Sequence, residues 1–102
     1  MKLGLFKARA HFEKAAAVGQ KMSMYNLALM CARGEGGPKD LDEADKWFSI
    51  LSKNGVTEAT ALRGLIALER NDKASGLKYF DDACQQGNEL GCELKKKFKK
   101  FK

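Results

Sequence analysis

Three times along this chain an aromatic pair is followed at a fixed distance by a glycine: His11-Phe12 then Gly19, Trp47-Phe48 then Gly55, Tyr79-Phe80 then Gly87. The phenylalanines lie 36 residues apart (12 to 48) and then 32 apart (48 to 80), and the glycines keep both spacings. Self-similarity at this period marks a stacked array of helical hairpins, in which each unit hides its apolar face only against its neighbours. An array of that kind works by presenting a surface, whereas an enzyme needs a secluded set of reactive groups. The repeat therefore sets an all-α fold class and turns the functional reading towards binding.

The middle unit carries the pattern most fully. Met22 to Arg33 reads as a helix, with Leu27, Met30 and Cys31 at the 3-and-4 spacing of a buried stripe and small Ala28 where another helix can approach. Gly34-Glu35-Gly36-Gly37-Pro38-Lys39 then stops propagation. Asp40 follows as an N-cap, with Glu43 three residues on to complete a capping box. Leu41, Ala44, Trp47, Phe48 and Leu51 recur at helical spacing, and Asn54-Gly55 ends the segment. Trp47 and Phe48 are expected between hairpins, so a fully buried Trp47 should cost about 3–5 kcal/mol on truncation to alanine. The next unit runs from Thr57 to about Arg70, turns at Asn71-Asp72, and continues to Gln86 without the glycine-rich loop. Residues 2–18 match only the second helix of a unit, and Glu89 onward matches only the first. The expected organisation is one domain over residues 1–102: a half repeat (1–18), two full repeats (19–54 and 55–86) and a C-terminal half repeat with a basic capping helix (87–102). That makes six helices.

These residues carry a resemblance. Gly19, then Tyr25-Asn26-Leu27-Ala28-Leu29-Met30, then Gly34 to Asp40, then Ala44 with Trp47-Phe48 and Gly55, resemble the Sel-1-like repeat family, a relative of the tetratricopeptide repeats. The resemblance implies an alpha/alpha superhelix, and members that act as scaffolds, adaptors or inhibitors of other proteins. Three departures stand out: Gly37 where the family usually has valine, Cys31 where it has tyrosine, and Arg63 where it has an apolar residue. The first two are expected to loosen packing.

Cys84 and Cys92 lie across the Gly87-Asn88 turn, where their side chains can meet. The arrangement is similar to the cysteine-rich branch of the family, in which such a pair is a disulfide. From the residues alone, two half-buried thiols in a reducing cytosol remain an equal reading. Cys31 is expected in the core. His11 aligns with Trp47 and Tyr79 and is read as an aromatic packing residue. No Cys-x-x-Cys or His-x-x-x-His pattern is present, so no metal and no cofactor is expected. The acidic run Asp40, Asp42, Glu43, Asp45 falls in a first helical turn, where negative charge favours the macrodipole.

The net charge of +6 resides in a tail: six lysines occupy the last eight residues, and the others carry 13 basic and 13 acidic side chains. Leu90, Leu94, Phe98 and Phe101 form an apolar stripe through it. Such a helix can dock on an anionic membrane or on nucleic acid. A terminal cap, with its lysines in water, accounts for the same pattern and is the expected role. No apolar run approaches the roughly 20 residues of a membrane span, and no secretory signal is visible. The expected setting is cytoplasmic, or periplasmic or secreted if the chain was trimmed and Cys84–Cys92 is oxidised.

The expected function is a non-catalytic protein-interaction module whose partner is another protein. Helical phase nominates Asn26, Arg33, Arg63 and Glu69 to touch it. Two full units are close to the minimum for a stable core, which leaves a dimer open. Some cysteine-rich relatives are described as beta-lactam-binding or weakly hydrolytic, but no Ser-x-x-Lys motif occurs here.

Overall fold

The computed structural model describes residues 2–99, with side chains from Gly4 onward. All six expected helices are present: α1 (Lys2–Ala17), α2 (Lys21–Arg33), α3 (Leu41–Lys53), α4 (Thr57–Glu69), α5 (Lys73–Gln85) and α6 (Glu89–Lys99). Among the described residues there is no strand, and no helix is long and apolar enough to cross a membrane. The chain divides into two compact units, between Leu51 and Ser52.

In the first unit, the glycine-rich segment ends α2 as its composition requires. Gly34 takes the left-handed conformation (φ 72°) and its N–H caps the helix on Met30 O. Gly36 is also left-handed (φ 71°), and its α-carbon lies against the Leu5 carbonyl of α1, so a side chain there has neither the dihedral nor the room. Asp40 Oδ1 accepts from the Glu43 N–H at 3.0 Å, the expected cap. The reciprocal half of the capping box is replaced: the Asp40 N–H donates to Cys31 O at 2.8 Å, tying the loop's end back to α2. Ala16, Leu27, Ala28, Cys31, Ala44 and Phe48 form the core. The Tyr25 ring meets Phe48 edge-on, with centroids 6.0 Å apart.

Three expectations change here. Trp47 is half-buried, with the Lys46 ammonium 4.8 Å from its ring centroid, and its indole Nε1 is buried without an acceptor. The large truncation cost thus belongs to Phe48, which is fully buried. Cys31 does not loosen the packing; it is one of the largest wholly enclosed side chains. His11 is exposed, touching only the edge of Phe12 among the ring contacts of the described residues (5.9 Å), because its helical phase points it away from α2.

In the second unit, the α4–α5 connection is as tight as the missing loop implied. Asn71 turns in the left-handed region (φ 61°), and Asp72 Oδ1 accepts from the Ser75 N–H at 3.1 Å. Hydrogen bonding from Ser75, first from its hydroxyl and then from this N–H, holds the Asp72 carboxyl below its usual range. The helices approach closely through Gly64 and Gly76: a β-carbon on Gly64 would sit 2.5 Å from the Phe80 ring, and one on Gly76 2.9 Å from Leu68. Phe80 is wholly enclosed there. α6 is capped by Asn88, whose Oδ1 accepts from the Gly91 N–H at 2.8 Å.

Candidate protein-interaction surface

The structure sorts the nominated contact residues by unit. Asn26 and Arg33, one face of α2, come together beside Leu29. Opposite them, α1 contributes Leu5, Ala8 and Phe12. The two helices thus border an apolar groove of about 280 Å³, with Arg33 and Glu35 at one end 4.0 Å apart as an exposed ion pair. Arg63 and Glu69 belong to the second unit: the Arg63 guanidinium lies 4.6 Å from the Tyr79 ring centroid, and Glu69 is exposed at the end of α4.

A second depression, about 400 Å³, adjoins the groove through Leu5 and is lined by Phe6 and the loop from Gly34 to Pro38. Its wall depends on a residue the sequence did not nominate. Arg9 is only 8% exposed, and its Nη1 donates to the carbonyl oxygens of Glu35 (3.2 Å) and Pro38 (3.0 Å). Buried charge requires such partners, and the loop offers its carbonyls because they have left the helical ladder. Gly37 supplies the space: a β-carbon would fall 2.8 Å from Arg9 Nη1. The departure from valine at position 37 is therefore filled by Arg9 and is not a loosening. The only advance signal was an arginine on the same helical face as Leu5 and Phe12.

Cys84 and Cys92 are bonded in the structure, with sulfurs 2.05 Å apart, across the α5–α6 elbow. A Cys84→Ser, Cys92→Ser variant is expected to lose about 2–3 kcal/mol on the chain-entropy model. Urea titration with and without reductant checks this; a wild-type midpoint indifferent to reductant would show that the bond adds nothing. Cys31 is a different case: burial pushes its thiol up, against a smaller opposing effect from Arg9, which makes it a poor nucleophile. Among the described residues, no three His, Cys, Asp or Glu side chains gather to hold a metal.

α6 packs on α5 with Leu90, Leu94 and Phe98 half-buried, and Phe98 stacks on Phe80 at 5.8 Å. Phe101, Lys100 and Lys102 lie outside the described residues. The lysines do not all face water alone: Lys95 Nζ pairs with Asp81 Oδ1 at 2.6 Å. Hydrogen bonding from Lys95 depresses the Asp81 carboxyl below its ordinary value of 3.8. A depressed carboxylate contributes its stability in full above the ordinary value and loses it as pH falls through the lower folded one. Acid titration should therefore weaken amide protection in α6 below that range, slightly, since the pair is exposed. Lys95→Met should remove this acid step, and an unchanged step would place it elsewhere.

Comparison with known proteins follows the same repeats. A family model described as Sel1 repeat matches residues 5–20, 21–56 and 61–88. The chain is 32% identical over 76 residues to the "Exopolysaccharide production negative regulator" of Rhizobium meliloti (strain 1021), covering 74% of this chain and 28% of that protein. It is 29% identical over 93 residues to the protein of the same name from Rhizobium leguminosarum bv. viciae, covering 90% of this chain and 35% of that one. The chain thus spans about a third of the length of these relatives. It is also similar to a solved Sel1 repeat protein from Oxalobacter formigenes, with a TM-score of 0.71 and 27% identity over 85% of this chain and 26% of that one. This likeness bears out the all-α helical-repeat fold.

Proposed function

The chain belongs to the Sel1 repeat family, and from that premise we propose that it is a non-catalytic interaction module that regulates another protein by binding it. One observation carries the reading. The large apolar side chains exposed among the described residues, Leu5, Phe6, Val18 and Met22, all lie on α1, on its elbow and at the start of α2. Exposed apolar surface concentrated in this way marks a contact surface. The regulatory character is extended from the names of the two Rhizobium proteins. The Cys84–Cys92 bond favours an oxidising setting, periplasmic or secreted, for the working protein.

Affinity purification from the cells that express the chain tests this. One protein should be retained in stoichiometric amount by wild type and lost from Leu5→Glu, Phe6→Glu, whose exposed positions leave the fold intact. Retention of the same protein by both, or turnover of a small substrate by the purified chain, would overturn the reading.

A further inference from the structure

The face that α5 and α6 build together carries a charge pattern that the repeat does not require. From the elbow outward the two helices meet in steps: Cys84 with Cys92, Asp81 with Lys95, then Leu77 and Lys78 beside Lys99. Superposing the repeat on Gly19 and Gly87 places Lys95 on Leu27 and Lys99 on Cys31, and both of those are 1% exposed in the first unit. The positions that are apolar there are filled by lysine in α6. A helix laid over them would take both ammoniums out of water, which is costly without partners. This face is therefore polar by its own residues.

Leu77, Lys78, Asp81, Lys95 and Lys99 line a depression of about 390 Å³ on it. Three ammoniums stand there against one carboxylate, and that carboxylate is already engaged. Asp81 Oδ1 accepts from Lys95 Nζ at 2.6 Å, and its Oδ2 accepts from Gln85 Nε2 at 2.9 Å. One turn further from the elbow, Lys78 is exposed on α5 and Lys99 on α6, with Leu77 half-buried beside them. The outer end of the depression thus joins two cations to an apolar floor, with no acidic side chain in its lining.

Resting on the interaction-module reading, we propose that this depression binds an acidic segment of a partner protein. A carboxylate of the segment bridges Lys78 and Lys99, and a neighbouring apolar side chain lies on Leu77. Shape and charge favour a protein as the source of the negative charge. A bilayer is flat and would leave a recessed cluster unfilled, and α6 exposes Glu89 and Glu93 as well as its lysines. A nucleic-acid strand carries a phosphate about every 3.4 Å, so a continuous row of them would press charge onto Asp81. A peptide can space its carboxylates and set an uncharged residue there.

The test titrates the full chain, disulfide intact, with a short fluorescent peptide of glutamate, leucine and serine. A comparison peptide has glutamine for every glutamate. A single-stranded oligonucleotide and vesicles of phosphatidylcholine and phosphatidylglycerol stand for the other polyanions. The acidic peptide is expected to bind at least about tenfold more tightly than the glutamine peptide at low salt, the gap closing as salt screens the lysines. Lys78→Gln, Lys99→Gln, at exposed positions that do not threaten folding, should erase the preference. Lys14→Gln, Lys21→Gln removes the same charge from exposed positions of the other unit and should leave the preference in place. Leu77→Ser, its fold checked by circular dichroism, should weaken both peptides. Equal or absent binding of the two peptides, an equal loss in the two lysine variants, or tighter binding of the oligonucleotide or the vesicles would overturn the proposal. A partner isolated from cells that is lost with Leu5→Glu, Phe6→Glu yet kept by Lys78→Gln, Lys99→Gln would leave the module reading standing and remove this site.

Discussion

Phe80→Ala is expected to cost about 3–5 kcal/mol, the range for deleting a fully enclosed aromatic ring. The site has little means of collapsing around the loss. Phe80 is held between the backbone of Gly64 on one helix and the Phe98 ring on another, so the cavity would be walled by three helices. Domains of this size hold roughly 5–15 kcal/mol in total, so the variant should lose a large part of its folded population on modest warming. Urea and thermal melts measure this, with Trp47→Ala as the internal comparison. Trp47 is half-buried and offers a buried N–H no acceptor, so its truncation should cost clearly less. A Trp47→Ala cost equal to that of Phe80→Ala would show that the enclosure of Phe80 has been misplaced.

Arg9→Met should cost about 2–4 kcal/mol, since hydrogen bonds from a charged donor contribute roughly 1.5–3 kcal/mol each and two part-buried carbonyls lose theirs. Methionine keeps the apolar stem, so the change isolates the guanidinium. A double-mutant cycle with Gly37→Val gives the more pointed result. In wild type the valine meets Arg9 Nη1; with methionine at position 9 that obstacle is gone. The two substitutions should therefore be non-additive, with Gly37→Val less damaging in the Arg9→Met background. Additive costs would show that Arg9 does not occupy the space above Gly37. Stability is the readout, by urea denaturation.

The helices were legible because their ends are local chemistry. Glycines at 34 and 36 adopt the positive φ their type favours, and Asp40 and Asp72 accept the amides three residues ahead. Helical phase nominated Asn26 and Arg33 separately, and the structure places both on one side of α2, since phase along a single helix is a property of sequence spacing. It had no means of finding Ala8 and Phe12 as the opposite wall. That pairing depends on how α1 crosses α2, which is set by side-chain interlocking between segments.

By itself, the sequence determined the number of helices, their approximate ends, the repeat register and the burial of Phe48. Each of these follows from dihedral preference, capping or apolar periodicity, all of which act within a few residues. Only the tertiary structure decided which charges leave water and which aromatics stay in it. Arg9 is buried because loop carbonyls some 26 to 29 residues away receive its protons. Lys95 leaves its neighbours to pair with Asp81. Phe12 and Phe80 occupy the same repeat position, yet one is half-open and the other sealed. Burial is a property of what lies opposite a side chain, and a repeat position does not say whether the opposing helix is there.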